Sequence, residues 1–570
     1  FIAAVSAGFK AKYKREVKPN SVLEIKLDYD VRERTARDPF GPFGWGPFGD
    51  SGFRFEVSKE LGLNDILKNI RHAKEDDNIK GIYLHLTPMM PSGMATTEAV
   101  RNALIDFKTS GKFIVAYGEI IPQKGYYLAS VADEIYVNPA GFVDFRGFQA
   151  ELLFLKGLLE KLDIEAQVLY AGKYKSATEP FRLDKMSDEN REQISHIIND
   201  MYGHFIKKIS QARNIPETTL DSIADNMLVR DVEDAVKYNM VNGLAFYDEI
   251  IEKLKAKTGT AEKDKLSLIS LEKYDNEEDD NNKGKAKDKI AVLYAEGAIV
   301  DGKGEEDEIG SEKYAKTIRE IRENEKVKAL VIRVNSPGGS VLASDVILRE
   351  IALASKKMPV IVSMGDVAAS GGYYISCMAD TILAEPNTIT GSIGVFGLLP
   401  NMQGFFNEHL GITFDGVKTG RFSDMGNVSR PLTAEEKSII QTGIDSIYMD
   451  FKEHVAIGRG KSLEYIDSIA QGRVWTGTQA VANGLVDTIG NLNDAIVIAA
   501  QKAGITDYSV KEYPRQKDPF EKIVEGFSSD VAAYFIKMKI GPYYPLWRKA
   551  EEIKNLNGTQ ARMPFEMEIY

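Results

Sequence analysis

Short apolar runs of strand length alternate with longer amphipathic stretches in the first part of the chain. Residues 22–27 alternate apolar and charged side chains, the pattern of a half-buried strand. A helical pattern over residues 61–72 precedes a second apolar run at 81–86, and a helical pattern over 98–108 precedes a third run at 113–117. Strands that alternate with helices are typical of a parallel sheet covered by helices. The pattern therefore predicts an α/β fold.

The same order of patterns returns in the second half of the chain. Residues 289–294, 329–334 and 358–363 repeat the three apolar runs of the first half. A shift of 247 positions aligns residues 364–394 with 117–147 without a gap, with several glycines and a tyrosine pair in register. This self-similarity predicts a tandem duplication of one fold.

These patterns divide the chain into five predicted segments. Residues 20–258 and 288–505 are the two copies. The stretch between them, 259–287, contains a strongly charged run without apolar periodicity and is predicted to be a linker. Residues 1–19 form an N-terminal segment and 506–570 a C-terminal tail, for which the sequence indicates only a role in assembly.

Two segments carry open interpretations that involve a membrane. Residues 1–8 are apolar but too short to span a bilayer, so they are either the end of a removed membrane anchor or an ordinary chain terminus. The glycine and aromatic insert at 40–49 either touches a membrane or an apolar peptide, or folds onto its own domain.

Composition excludes several classes of function. The net charge of -12 and the pI near 5.3 argue against nucleic acid as a partner. The single cysteine, Cys377, excludes an internal disulfide and lies in an apolar segment, which predicts buried packing. None of the six histidines has an acidic residue at a spacing in the sequence that would indicate a catalytic pair, and no metal-binding motif occurs. We expect no metal and no cofactor.

The candidate nucleophile is Ser370, in the stretch MGDVAASGGYY at 364–374. It follows a β-branched run at 359–363, and the residues after it, 373–378, are predicted to continue as a helix. A serine at such a turn exposes its hydroxyl, and the Gly371 amide at a helix start favours a developing negative charge. The alternative, a small-residue helix start packed under a sheet, fits this stretch equally well.

The two copies do not carry the same chemical groups. The position that aligns with Ser370 is Gln123 in the front copy, which cannot act as a nucleophile. The front copy instead holds Lys175, and the rear copy has no lysine at the matching place. An amine buried between Tyr174 and Phe181 would lose its proton readily enough to replace histidine as a base. By itself, Lys175 would be assigned to the solvated surface.

Backbone amides for an oxyanion are predicted from a second glycine pair. The strand that ends in NSPGGS at 335–340 leaves the amides of Gly338 and Gly339 at its tip. Ser392, in TGSIGV at 390–395, is placed to hydrogen-bond a neutral amine and orient it. A tight turn and an ordinary turn serine are the respective alternatives.

Together, these motifs and GKYKSATEPF at 172–181 resemble the signal peptide peptidase A (protease IV) family, peptidase family S49, in its long duplicated form. The resemblance covers residues 20 to about 500. It implies a tandem pair of Clp protease/crotonase-like folds, built from repeated ββα units. It further implies that Ser370 is the nucleophile, Lys175 the general base and Ser392 its orienting partner, with Gly371 and either Gly338 or Gly339 as the oxyanion hole.

The resemblance also implies a biological setting: a membrane-anchored homotetramer that faces the periplasm from the bacterial inner membrane and degrades cleaved signal peptides. We expect a peptide to pair along an exposed strand edge near Gly339, with Ser340, Val341 and Leu342 as substrate-binding residues.

Two other classes of function stay open from the sequence. One is a crotonase-like acyl-CoA enzyme, which would need an acidic base and a CoA pocket for which the sequence gives no clear signal. The other is a catalytically inert membrane scaffold, which the complementary retention of Lys175 and Ser370 in opposite copies disfavours.

Overall fold

The computed structural model describes residues 17–35, 60–274, 286–516 and 558–563. The glycine and aromatic insert at 40–49, most of the N-terminal segment, part of the predicted linker and most of the C-terminal tail lie outside these ranges. The chain divides into two compact units, 1–148 with 202–285 and 149–201 with 286–570. The units therefore do not follow the predicted copies, because residues 149–201 of the front copy pack in the second unit.

Strands and helices alternate through both units, as the hydrophobic pattern predicts. The strands are β1 (Ser21–Ile25), β2 (Ile79–Leu86), β3 (Phe113–Ile121), β4 (Glu134–Val143), β5 (Glu165–Ala171), β6 (Gly243–Leu244), β7 (Leu268–Ser270), β8 (Asp288–Glu296), β9 (Ala298–Val300), β10 (Glu308–Gly310), β11 (Val327–Ser336), β12 (Gly338–Ser340), β13 (Val360–Ala369), β14 (Thr381–Ala384), β15 (Ile389–Gly391), β16 (Val395–Asn401), β17 (Val474–Thr476), β18 (Thr488–Ile489), β19 (Tyr508–Tyr513) and β20 (Gly558–Arg562). The α-helices are α1 (Leu63–Glu75), α2 (Met94–Lys108), α3 (Gln123–Ala129), α4 (Lys156–Lys161), α5 (Glu179–Arg182), α6 (Asp188–Arg213), α7 (Glu217–Asp225), α8 (Val232–Lys237), α9 (Tyr247–Thr258), α10 (Ser311–Glu323), α11 (Val341–Ser355), α12 (Gly371–Tyr374), α13 (Ala434–Arg459), α14 (Leu463–Ile469), α15 (Gly477–Ala482) and α16 (Leu492–Ala503).

The first unit is built on a six-stranded sheet in the order β6-β4-β3-β2-β1-β7, and every neighbouring pair is parallel. Its strands read as nearly continuous apolar runs because both faces of a parallel sheet are covered. In β2, Ile82, Tyr83 and Leu84 are all buried.

The main sheet of the second unit repeats this topology. Strands β19, β8, β11, β13, β14 and β18 are neighbours in that order, and all of these pairs are parallel. Alternate residues of β11 pack on opposite sides: Leu330 and Ile332 join one core cluster, and Ala329 and Val331 join the other. The predicted α/β class and the duplicated parallel sheet are therefore confirmed.

A second sheet is found in the second unit, in the order β10-β9-β12-β20-β16-β5. Strand β5 comes from the front copy and pairs antiparallel with β16 over seven residues, with Ala171 opposite Val395. Strand β20 comes from the C-terminal tail and lies between β12 and β16. Both placements depend on pairing between residues far apart in the chain, which hydrophobic periodicity does not predict.

Two local predictions differ from the structure. The helix after Ser370 is a single turn that ends at Tyr374, not one that continues through residue 378. Its contribution as a dipole is therefore small, and the individual amides matter more. The strand edge expected to extend through Leu342 ends at Ser340, because Val341 begins α11.

Candidate active site

Ser370 lies at the turn between β13 and α12 and is fully buried. Its backbone is at φ 54° and ψ -112°, in the region that side chains other than glycine rarely adopt. A hydrogen bond from its amide to the Gly391 carbonyl oxygen, at 2.8 Å, helps to hold this conformation. Such strain persists where the surrounding structure imposes it, and it is concentrated at functional sites.

Lys175 reaches the second unit because β5 carries it there. Four residues after the end of that strand, its loop is fixed by a hydrogen bond from the Tyr174 amide to the Gln471 carbonyl oxygen, at 2.7 Å. The Gln193 side chain, from α6, donates to the Tyr174 carbonyl oxygen and to Ser176 Oγ. The loop is thus held from two sides, and the Lys175 side chain is buried within the unit.

The structure brings three of the predicted residues into direct contact. Lys175 Nζ lies 2.8 Å from Ser370 Oγ, 3.0 Å from Ser392 Oγ and 3.2 Å from the Ser392 carbonyl oxygen. Ser392, like Ser370, has a positive φ, 51°, and it is also fully buried. The amine therefore has hydrogen-bond partners on both sides, one of which is the candidate nucleophile.

Burial controls the protonation of the amine. Lys175 is 1% exposed, and removal from water lowers its pKa well below the ordinary lysine value, because burial penalises the ammonium form. The two hydroxyls and the carbonyl oxygen can hydrogen-bond a neutral amine, and none of them carries the negative charge that would stabilise an ammonium group. The site therefore favours an uncharged amine, which can accept a proton from Ser370.

Two of the candidate oxyanion glycines, Gly338 and Gly371, lie close together next to Ser370. A Cβ atom built on Gly338, whose φ is +96°, would lie 2.6 Å from the Gly371 nitrogen. The Gly338 amide also donates to Ser336 Oγ at 3.2 Å. Gly339 lies against β9 instead: a Cβ atom built on it would lie 2.0 Å from the Ile299 carbonyl oxygen. The geometry therefore pairs Gly371 with Gly338 and leaves Gly339 to pack against β9.

The three predicted substrate-binding residues have different surroundings. Ser340 caps α11: its Oγ accepts from the Ala343 amide and donates to Asp301 at 2.8 Å. Val341 is buried, whereas Leu342 is 67% exposed. All three line a cavity of about 570 Å³, together with Asp301, Asp345, Tyr374, Ile447, Asp450, Glu453, His454 and Thr559.

The strand edge expected to be free for a peptide is already paired. Residues Gly338, Gly339 and Ser340 lie opposite Arg562, Ala561 and Gln560 of β20 in an antiparallel register. The expectation of an exposed edge is therefore wrong for the intact chain, because a segment from the predicted tail occupies it.

Other candidate groups lie outside this chemistry. Burial raises the pKa of the Cys377 thiol to about 12, in keeping with the predicted packing role.

Among the residues that the structure describes, no cluster of histidine, cysteine and acidic side chains could hold a metal ion. Over the same residues, no helix combines the length and apolar character needed to cross a membrane.

Sequence reasoning missed the glycines that enclose the lysine. A Cβ on Gly472 would lie 2.6 Å from the backbone nitrogen of Lys175, and one on Gly394 would lie 3.1 Å from Lys175 Cδ. Gly472 also has a positive φ, 76°, so both the close Lys175 backbone and the backbone conformation of Gly472 itself disfavour a side chain there. Gly394 is one of the glycines repeated between the two copies, so the repeat could have indicated that it is structurally required. Nothing in the neighbouring sequence distinguishes Gly472 or Gln193.

The corresponding place in the first unit is filled by an amide side chain. Gln123 Oε1 accepts from the Arg146 and Gly147 amides, and its Nε2 donates to the Gly147 carbonyl oxygen, all at 2.9 Å. The side chain is buried, 4% exposed. In this unit the residue that aligns with Ser370 therefore ties two backbone segments together.

A serine hydroxyl bonded to a buried amine and followed by a glycine amide at a helix start is the arrangement of a serine hydrolase in which lysine replaces histidine. Comparison with known proteins narrows this class. The family model for peptidase family S49 matches residues 106–261 and again 352–506. The chain belongs to peptidase family S49.

Curated relatives extend this match over most of the chain. It is 37% identical to "Protease 4" of Salmonella typhi over 503 residues, covering 86% of this chain and 80% of that protein. It is 34% identical to "Serine protease SPPA, chloroplastic" of Arabidopsis thaliana over 512 residues, covering 88% and 74%. It is 36% identical to "Protease 4" of Haemophilus influenzae over 470 residues, covering 80% and 76%. The protein is therefore a serine protease, and the acyl-CoA enzyme and the inert scaffold are set aside.

Proposed function

We propose that the protein is an endopeptidase that uses Ser370 and Lys175 as a dyad to degrade cleaved signal peptides and other hydrophobic peptides at a membrane. The observation that carries the dyad is the 2.8 Å contact between Lys175 Nζ and Ser370 Oγ, inside a site where burial lowers the pKa of the amine. The contact supplies a nucleophile and a base in hydrogen-bond reach.

The first half of the reaction forms an acyl-enzyme. Lys175 takes the proton from Ser370 as Oγ attacks the scissile carbonyl carbon. The oxyanion that forms faces the amides of Gly371 and Gly338, and Ser392 holds the amine in line. Lys175 then gives its proton to the leaving nitrogen, the carbon–nitrogen bond breaks, and the downstream peptide departs as an amine.

The second half regenerates the enzyme. Lys175 takes a proton from water, and the hydroxide attacks the ester carbonyl at Ser370. The ester bond breaks, the proton returns to Ser370 Oγ, and the upstream peptide leaves as a carboxylate. No cofactor is needed at any step.

The substrate class is proposed from the family and from the site. The relatives are named proteases or SPPA, and the resemblance to signal peptide peptidase A implies signal peptides as substrates. In the cavity that Ser340 borders, Val341, Leu342 and Ile447 can contact apolar side chains of a peptide, and the same lining carries four carboxylates, Asp301, Asp345, Asp450 and Glu453. Attachment to the bacterial inner membrane, a periplasmic orientation and a homotetramer rest on the resemblance alone.

Paired lysine and serine variants test the dyad. We expect Ser370→Ala and Lys175→Met each to lower kcat/KM for a synthetic signal peptide by on the order of 10⁴-fold, because each removes half of the nucleophile–base pair. Lys173→Met is the matched control: its side chain is two residues away and 60% exposed, and we expect no change. Cleavage is followed by chromatography and mass spectrometry, with circular dichroism to verify folding.

The outcomes separate the dyad from the substrate class. Hydrolysis at the normal rate by folded Ser370→Ala or Lys175→Met would refute the dyad. If the wild-type protein cleaves polar peptides of equal length much faster than signal peptides, the dyad stands and the proposed substrate class is wrong.

A further inference from the structure

The segment 471–475 connects the loop of the candidate base with the strand of its orienting serine. On one side, the Gln471 carbonyl oxygen accepts a hydrogen bond from the Tyr174 amide at 2.7 Å, directly before the base in the chain. On the other side, the Arg473 carbonyl oxygen accepts from the Ser392 amide at 2.8 Å. The backbone anchors of the base and of the serine therefore lie next to each other in one short segment.

The side chain of Arg473 folds over the same loop. Its guanidinium carbon lies 4.9 Å from the centre of the Tyr174 ring and 4.7 Å from the centre of the Trp475 ring. A cation within about 6 Å of a ring centre is attracted to the ring face. Trp475 belongs to β17, which pairs with β15, and its indole nitrogen donates to the Ile469 carbonyl oxygen at 3.0 Å. The guanidinium thus joins a ring of the base loop to a ring that is fixed on a strand.

Helix α6 supplies the polar partners of this guanidinium. Arg473 Nη2 lies 3.3 Å from Glu192 Oε1 and 2.9 Å from His196 Nδ1. Glu192 and His196 are four positions apart, so they lie on one face of the helix. The Tyr174 hydroxyl donates to the other oxygen of Glu192, at 3.4 Å. Because the Arg473 side chain is only 18% exposed, these contacts are partly shielded from water.

The guanidinium is close to the base loop without touching the reacting atoms. Among the residues that the structure describes, the hydrogen-bond partners of Lys175 Nζ are Ser370 and Ser392, and Arg473 is not one of them. Lys175 directly follows Tyr174, so a shift of the Tyr174 backbone moves the amine relative to both hydroxyls. A misplacement of about 1 Å by a change outside the chemistry is enough to lower a rate by about 10²-fold.

We propose that Arg473 is a positioning residue: it clamps the loop of Lys175 against the segment that holds Ser392, so that the amine stays in line with Ser370. This inference rests on the proposed dyad. The guanidinium takes no part in proton transfer. It fixes the distance between base and nucleophile, and it keeps the loop closed over the amine so that water stays away from it.

The experiment compares steady-state kinetics and pH profiles of the full chain and its variants on one synthetic signal peptide. We expect Arg473→Gln to lower kcat by about 10- to 100-fold through misplacement of the amine, with little change in KM. The midpoint of the rise of kcat with pH should move to higher pH, because an amine that water reaches keeps its proton more readily. Arg473→Lys keeps a cation near the rings and should recover part of kcat.

Lys173→Met is the matched control, because it removes a second cation from the same ring. Lys173 Nζ lies 5.5 Å from the centre of the Tyr174 ring, but its side chain is 60% exposed and its partner, Glu189, is 3.6 Å away. We expect the kcat and the pH profile of this variant to equal those of wild type. The comparison separates the clamp from a cation that only touches the ring.

A second variant keeps the test valid if circular dichroism shows that Arg473→Gln does not fold. Tyr174→Leu removes the ring that the guanidinium contacts and should give the same loss of kcat and the same shift of the midpoint. A folded Arg473→Gln or Tyr174→Leu with the kcat of wild type would overturn the positioning role and leave the dyad standing. A loss of kcat with an unchanged midpoint would also overturn it, because the amine would then be as well shielded as before. A wild-type protein that hydrolyses no peptide would overturn both proposals.

Discussion

At the scale of single residues, the proposed chemistry depends on the protonation state of the Lys175 amine. Lys175 is surrounded by two serine hydroxyls and backbone groups, and burial lowers its pKa. Ser370 and Ser392, its two hydroxyl partners, both have a positive φ. A non-glycine residue in this region costs about 1–3 kcal/mol, so the fold spends stability at both serines to aim them at the amine.

The pH dependence of the rate follows from this pKa. Lys175 acts as a base only when it is neutral, so kcat/KM should rise with pH as the amine loses its proton. Because burial lowers the pKa, the midpoint of the rise should lie well below the ordinary lysine value. Peptide hydrolysis measured from acidic to alkaline pH checks this, with Lys173→Met expected to give the same profile. A rate that does not change with pH would contradict a lysine base.

At the scale of elements, the site is assembled at the ends of four strands. β13 ends at Ala369, directly before Ser370; β11 and β12 supply the glycine turn, and β5 brings the lysine loop through its pairing with β16. The close approach of Gly338 to Gly371 leaves no room for a side chain between them. Glycine at position 338 is therefore required by the close packing against Gly371, and not only by the flexibility of a turn.

A single methyl group tests this requirement. Gly338→Ala would place a Cβ 2.6 Å from the Gly371 nitrogen, at a φ of +96° that alanine rarely adopts. We expect a loss of about 10²–10³-fold in kcat, the usual effect of disturbing one oxyanion donor. Gly443→Ala is the control: it lies in α13 with open space around it and should keep full activity. Equal activity of the two variants would show that Gly338 takes no part in the site.

At the scale of the whole molecule, the duplication has produced two units with different tasks. The second unit contains Ser370, Ser392 and, through residues 149–201, the lysine of the front copy. In the first unit, Gln123 uses its amide to hold the backbone at Arg146 and Gly147. The boundary between the units falls inside α6, between Met201 and Tyr202. The first unit thus has a structural side chain at the position that aligns with the candidate nucleophile of the second unit.

Restoring a serine in the first unit should not restore a second site. We expect Gln123→Ser to react with an acylating serine reagent no more than wild type, with one label per chain, at Ser370, by intact mass. The variant loses the three hydrogen bonds of the buried Gln123 side chain and should be destabilised by about 1–3 kcal/mol in denaturant unfolding. Gln211→Ser, on an exposed part of α6, is the control and should unfold almost as wild type does. A second label, on the serine introduced at position 123, would contradict the assignment of tasks.

The sequence by itself determined the local structure and singled out the candidate reacting groups. Apolar runs such as 81–86 and 329–334 predicted parallel strands because both faces of such a sheet are buried. The repeat was visible because both copies need glycines at the same close approaches, as at Gly394. Ser370, Lys175 and Ser392 could be named because their motifs resemble those of one family.

Tertiary structure alone decided how these groups are arranged. The contact between Lys175 and Ser370 and the lowered pKa arise from pairing of β5 with β16 and from burial by residues far away in the chain. The occupied edge of β12 likewise depends on a strand more than two hundred positions downstream. Periodicity reports only which face of a segment is buried. Desolvation and strand pairing depend on which distant segment covers that face, and this is fixed only when the chain folds.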